Sequence, residues 1–279
     1  MKKILVVVHD AGAGEVIAAY VRTHRTGTHY YIYAAGLAAK ILKRNHLVVS
    51  AVRDSHAYVR EIVQKHADAS LVLVGTGWMT TIETTAILEA KKLGLKTVVY
   101  LDSWGDYRTR FGYPHKSWRA YLPDELWCGD KHALTLARKY FPSIRVRLVP
   151  NEYEAEAIRR TRALRRKTKQ SYVLFLNRPN VRSDKLAREL AVELSKRKDL
   201  SPLHIRHHPA EKIKTRTVDI AQDLAGARAV VGQESAAMAI SVAAGIPTIR
   251  IIERGVSKLL PHKGIVQVHS VKAVAKLIS

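Results

Sequence analysis

Short, uninterrupted apolar runs recur along this chain at intervals that a helix fills, and this alternation constrains the fold more than any other feature. Ile4-Leu-Val-Val-Val8 and Leu71-Val-Leu-Val74 are apolar at successive positions, where a strand with one wet face would alternate. A strand apolar on both sides needs cover on both faces, the situation of a parallel sheet. In the first half, strands are expected at residues 4–8, 29–33, 47–51, 70–75, 97–101, 125–128 and 145–149. Helical stretches at 15–25, 37–45, 55–65, 81–93 and 131–140 separate them. A second series has strands at 172–176, 203–207, 229–232, 248–252 and 265–268, with helices near 183–196, 218–225, 234–244 and 271–278.

Alternation at this spacing implies right-handed βαβ crossovers. The fold class expected is α/β, with two Rossmann-like doubly wound domains facing across a cleft. The expected boundaries are residues 1–150 for the first domain, 151–170 for a basic helical connection, and 171–279 for the second. Across 279 residues there is ample core for both.

Charge narrows the partners. Lys and Arg number 47 against 24 Asp and Glu, a formal net charge of +23. The excess is spread over both halves and is densest in Arg159-Arg-Thr-Arg-Ala-Leu-Arg-Arg-Lys-Thr-Lys169. A field of this sign favours an anionic acceptor or surface: membrane lipid, a polyanionic glycan or DNA. A solvated helix face is the plain alternative. The single cysteine, Cys128, excludes a disulfide framework and a cysteine metal cluster. No apolar run approaches the ~20 residues that span a bilayer, and Ile4–Val8 stops at strand length before His9-Asp10. A cytoplasmic protein, peripheral to the membrane inner face if the charge serves lipid, is the expectation.

Ligands of open α/β sheets bind outside the carboxyl ends of strands, where helix N-termini attract anions. Strand-end residues are therefore the candidates. The strand at 203–207 runs into His208-Pro209, and the strand at 229–232 runs into Gln233-Glu234-Ser235, which opens the Ala-rich helix. Read as neighbouring strand ends, an imidazole and a hydroxyl suit a phosphate. Arg178, in Asn177-Arg-Pro-Asn180, offers a guanidinium to a diphosphate. Each has a bland reading: Ser235 as an N-cap, His208 as a satisfied polar residue, Arg178 in an ordinary turn.

In the first half, strand one leads into His9-Asp10-Ala-Gly12-Ala-Gly14. The G-x-G is present, but residue 17 is Ile, and no acid follows the second strand, so a nicotinamide or flavin enzyme is not expected. Asp10 or His9 can take a proton from an acceptor hydroxyl; the competing reading has Asp10 capping the first helix. Strand five leads into a loop with Asp102, Trp104, Tyr107, Arg108, Arg110 and Tyr113. That mixture suits a polar ring-shaped ligand, so Asp102, Trp104, Tyr107 and Arg108 are the acceptor-side candidates. No metal-ligand spacing and no Gly-x-x-x-x-Gly-Lys-Ser/Thr loop is present.

With Ile205-Arg-His-His208-Pro209 and Gly232-Gln-Glu-Ser235 through Ala243-Ala-Gly245-Ile-Pro247, the chain resembles the GT-B glycosyltransferases. Its second half is most similar to the His-Pro and serine-motif transferases: bacterial sialyltransferases, capsule Kdo transferases and, more loosely, CDP-glycerol glycerophosphotransferases. The Ala-Ala-Gly-Ile-Pro ending is shared with UDP-sugar transferases and UDP-sugar 2-epimerases. The resemblance implies that His208 and Ser235 hold donor phosphate. Two features depart from it. Ile240-Ser241 stands where many UDP-sugar enzymes carry a ribose-binding glutamate, and the Asp/Glu-Asp-Gly motif of the sialyl enzymes is absent, leaving Asp10 as base by position.

The expected function is inverting, metal-independent glycosyl transfer from a nucleotide-sugar, which is a co-substrate; no cofactor is expected. Arg178, His208, Gln233, Glu234 and Ser235 would hold the nucleotide, with Glu234 accepting from ribose or base. The alternatives are a DNA-modifying glycosyltransferase, a non-catalytic nucleotide- or nucleic-acid-binding protein, and a UDP-sugar 2-epimerase. The last needs several acidic catalytic groups, which the sequence does not locate. No stable protein partner is inferred.

Overall fold

The computed structural model describes residues 1–77, 80–178, 180–196, 202–208, 219–252, 260–261 and 263–278. The chain divides into two compact units, Met1–Tyr153 and Glu154–Ser279. Unit 1 contains β1 (Lys2–Val8), α1 (Ala11–Thr23), β2 (Thr28–Ala34), α2 (Gly36–Arg44), β3 (Ser50–Ala51) and α3 (His56–Lys65). It continues with β4 (Leu71–Val74), α4 (Ile82–Lys92), β5 (Thr97–Leu101), β6 (Glu125–Cys128), α5 (Lys131–Tyr140) and β7 (Arg145–Leu148). Two 3-10 turns, Thr109–Phe111 and Trp118–Tyr121, lie between β5 and β6. Next come α6 (Glu152–Arg165), β8 (Tyr172–Leu176), α7 (Val181–Ser195) and β9 (Leu203–Arg206). They are followed by α8 (Ile220–Gly226), β10 (Ala227–Gly232), α9 (Ala236–Ala243), β11 (Thr248–Ile251), β12 (Ile265–Val268) and α10 (Val271–Ile278).

Both sheets are parallel throughout, in the orders β3-β2-β1-β4-β5-β6-β7 and β12-β11-β10-β8-β9. These are two doubly wound α/β units, as the apolar runs require. Ile4 to Val8 and Leu71 to Val74 are all buried, because helices cover both faces of each central strand. The core beside β1 is built from Val6, Val8, Ile17, Leu42 and Leu73; that beside β8 from Val173, Phe175, Leu190, Val231 and Ile249. Expected edges shift where pairing runs out. The strand expected at 47–51 shortens to Ser50–Ala51, which pairs only with Tyr33 and Ala34 at the sheet margin.

Sheet order corrects one expectation. The 203–207 and 229–232 strands are not neighbours, since β8 lies between β9 and β10. At ~4.8 Å per strand, their mouths are about 10 Å apart. The reversal of strand order falls at β1/β4 in unit 1 and at β8/β10 in unit 2, and those are the positions where open sheets gape for ligands.

The arginine run also finds partners. Arg160 pairs with Asp219, Arg162 donates to the Ala243 carbonyl at 2.5 Å, and Arg165 donates to the Ala227 carbonyl. Three of its seven cations therefore fasten α6 within unit 2. Among the described residues, no helix is long and apolar enough to cross a membrane.

Candidate functional site

In unit 2, a pocket of about 430 Å³ opens at the β8/β10 switch point, lined by Arg178, Asn180, Val181, Arg182, Gln233, Glu234, Arg250 and Ile251. Two helices begin at its rim. Asn180 caps α7 by accepting from the Ser183 amide at 2.8 Å, and the Ser183 hydroxyl accepts from the Arg178 amide at 3.0 Å. Ser235 caps α9, accepting from the Ala237 amide at 3.3 Å. Two helix N-termini and three guanidiniums at one pocket are an arrangement that suits an anion, by dipole and by charge.

Arg178, Gln233 and Glu234 are brought together as the sequence suggested. His208 is exposed and does not line this pocket; Pro209 lies outside the described residues. Ser235 serves as the cap, its bland reading. Glu234 is ion-paired with Arg250, whose Nε donates to the Gln233 carbonyl at 2.9 Å. Only 1 % exposed, Arg250 fixes the whole Gln233-Glu234 turn from β11. Arg250 and Arg182 were missed in the sequence. The available signal was a charge inside the buried strand Thr248-Ile-Arg-Ile251. On α9, Ser241 is buried and bonds the Met238 carbonyl and Thr248, and the helix carries no acid. The departure at 240–241 is thus filled by packing.

In unit 1, the carboxyl ends of β1, β4 and β5 gather a second polar cluster. Asp10 stands at the N-cap of α1, yet its side chain makes no capping bond; it meets His9 Nδ1 at 3.0 Å instead. The capping reading of its carboxylate therefore fails. Gly36, at φ +55°, allows the His9 ring to lie close, since a Cβ there would sit 2.6 Å from His9 Nε2. Beside this pair is Glu83, only 4 % exposed, accepting from the His9 amide at 2.8 Å and from Thr80 at 3.4 Å. A Cβ on Gly77 would lie 3.4 Å from both Asp10 Oδ1 and Glu83 Oε1, so the two carboxyls flank one glycine. Burial, reinforced by the Asp10 carboxylate, pushes Glu83 up to about 7. The signal for Glu83 lay in Thr80-Thr-Ile-Glu83, the spacing of a capping box.

Asp102 faces the start of α1 so closely that a Cβ on Gly12 would overlap its carboxylate. It is held by Arg110 at 2.9 Å and by Thr76 at 3.2 Å, while Arg110 also reaches Ser103 at 2.7 Å. Arg110, not Arg108, is the arginine of this cluster; Arg108 is exposed and lies over the Tyr140 ring.

Trp104 and Tyr107 are not solvent-facing platforms. Trp104 donates to Asp130 at 2.7 Å, and the Tyr107 ring packs on Tyr140 and Phe141 with 2 % exposure. The segment between β5 and β6 is long enough to need its own small core, and its aromatics supply it. Burial raises the Tyr107 phenol well above its usual range. Among the described residues, no group of three or more His, Cys, Asp and Glu side chains is placed to hold a metal ion.

No protein-family model and no curated protein matches this chain in sequence. Solved structures do match in fold. The UDP-GlcNAc 2-epimerase of Methanocaldococcus jannaschii, in complex with UDP-GlcNAc and UDP, superposes with a TM-score of 0.71 at 13 % identity, covering 99 % of this chain and 91 % of its own. Anabaena HepE, in complex with UDP, gives 0.59 at 12 %, covering 100 % and 89 %. The glycotransferase of kitacinnamycin gives 0.59 at 10 %, covering 99 % and 89 %. At such identities these likenesses establish the architecture: two doubly wound α/β domains of the GT-B type.

Proposed function

We propose that this chain is an enzyme acting on a nucleotide-activated sugar, with metal-independent glycosyl transfer as the principal reading. The observation that carries it is the unit 2 pocket, where Arg178, Arg182 and Arg250 meet the N-termini of α7 and α9. Glu234 is matched by Arg250, so the pocket keeps an excess of positive charge suited to a diphosphate. The fold neighbours solved with UDP or UDP-GlcNAc support the same ligand class. In transfer, an acceptor hydroxyl attacks the anomeric carbon and the bond to the donor phosphate oxygen breaks. The acceptor proton passes to Asp10, and the guanidiniums stabilise the charge on the departing phosphate. Asp102, held by Arg110, is available to bind an acceptor hydroxyl.

A second reading, 2-epimerisation of the sugar nucleotide, is favoured by one observation. That reaction needs several acidic groups, and Asp10, Glu83 and Asp102 gather around the carboxyl ends of β1, β4 and β5. Incubating the protein with UDP-GlcNAc and no acceptor separates the two, because only an epimerase changes the sugar.

The ligand class itself is tested by thermal denaturation with CMP, CDP, UDP, GDP and dTDP. Ligand at 100-fold its Kd stabilises the folded form by about 2.7 kcal/mol, so at least one nucleotide should raise the midpoint by several degrees. No shift with any of the five, at millimolar concentration, would sink the proposal.

A further inference from the structure

The strongest unclaimed surface lies on unit 1, around the segment between β5 and β6. Rings there form a continuous chain: Tyr140 on Tyr107, Tyr107 on Phe141, Phe141 on Trp118, and Trp118 on Tyr113. The inner members are buried, but the two ends emerge, Tyr113 at 45 % exposure and Tyr140 at 38 %. Arg108 lies over the Tyr140 ring at 5.7 Å and Arg119 over the Trp118 ring at 5.1 Å. Lys116, Arg138 and Lys139 are exposed on the same segment and on the last turn of α5. None of these five cations has an acidic partner among the described residues. Between residues 105 and 121, Asp106 is the only acid.

We propose that this surface docks the protein on an anionic lipid bilayer. Five cations without an acidic partner among the described residues attract an anionic leaflet, and tyrosines half out of the protein suit the headgroup level, where a ring can be partly wet. The arginine run on α6 is the weaker candidate, since Arg160, Arg162 and Arg165 are engaged within unit 2. Single-stranded nucleic acid fits less well. Base stacking needs open ring faces, and here guanidiniums cover those of Tyr140 and Trp118, while Tyr113 meets Trp118 edge-on. The surface adjoins the polar cluster, because Arg110, which holds Asp102, sits in the turn Thr109–Phe111 between Arg108 and Tyr113. An acceptor carried on lipid would thus be presented beside Asp102. The docking itself does not rest on the nucleotide-sugar reading.

The test is co-sedimentation of the full chain with phosphatidylcholine vesicles, with and without about 30 % phosphatidylglycerol, at about 0.1 M salt. Binding is expected only with the anionic lipid, and it should be lost at about 0.5 M salt, where screening is stronger. Each cation near an anionic leaflet contributes roughly five-fold in partitioning, so the triple variant Arg108→Glu, Lys116→Glu, Arg119→Glu should bind at least 100-fold less. A variant of the basic run at and after the end of α6, Arg159→Glu, Arg166→Glu, Lys167→Glu, should lose about five-fold or less. Circular dichroism and the thermal midpoint check that both variants fold. Equal binding by the triple variant and the parent, or equal losses in the two variants, overturns the proposal. So does tighter binding to single-stranded or duplex DNA that the triple variant also loses, which would make nucleic acid the partner.

Discussion

Replacing Arg250 with methionine is expected to destabilise unit 2 by about 3–5 kcal/mol, the largest single effect predicted for this chain. Methionine fills much of the volume, so the loss is electrostatic. Glu234 would be left without its guanidinium beside the buried end of β11, and the Gln233 carbonyl would lose its donor. Removing one partner of a buried pair costs far more than removing both. The double variant Arg250→Met, Glu234→Gln should therefore recover a large part of the loss, and a thermodynamic cycle over the four proteins measures the coupling. Unfolding followed by denaturant is the readout, with a drop of roughly 10 °C in the thermal midpoint as its counterpart. A single variant within about 1 kcal/mol of the parent would show that Arg250 does not organise the pocket.

Stability should also fall with rising pH because of one carboxyl group. Burial pushes Glu83 up to about 7 in the folded protein, against 4.5 for an ordinary glutamate side chain. A raised folded value means that the native state holds the proton more tightly than the unfolded chain. The stabilisation is complete below pH 4.5 and is lost progressively as pH rises through 7. The difference corresponds to about 3 kcal/mol. Glutamine keeps an acceptor for the His9 amide and cannot ionise, so Glu83→Gln should remove this component and be more stable than the parent at pH 8. Parallel pH profiles for parent and variant would contradict the assignment. Near neutrality the Glu83 carboxyl is thus divided between its protonated and ionised forms beside Asp10.

The architecture was legible because continuous apolar strands and helices of ordinary length leave few ways to build a sheet. Every expected strand is found, including the short edge strand β3. Spatial order was less legible. His208 and Ser235 follow successive strands in sequence, but β8 intervenes in the sheet, a consequence of where the strand order reverses. Composition misled in the segment after β5, because aromatics close to Asp and Arg read equally as a ligand grip or as a small local core. Trp104 and Tyr107 form the core, and Arg110 takes the place assigned to Arg108. Glu83 and Arg250 escaped notice for a shared reason. Each is a charge buried inside an element whose form its apolar neighbours already explain, and only three-dimensional packing shows what it faces.

The central claim is that the pocket between the starts of α7 and α9 grips the phosphates of a nucleotide. Calorimetric titration of the most stabilising nucleotide into the parent and into Arg178→Ala tests it most directly. Arg178 is exposed at the pocket rim, so its loss should leave the fold intact. A hydrogen bond to a charged group contributes about 1.5–3 kcal/mol, so binding should weaken by about ten- to a hundred-fold. Affinity unchanged within two-fold would place the nucleotide elsewhere and contradict the account.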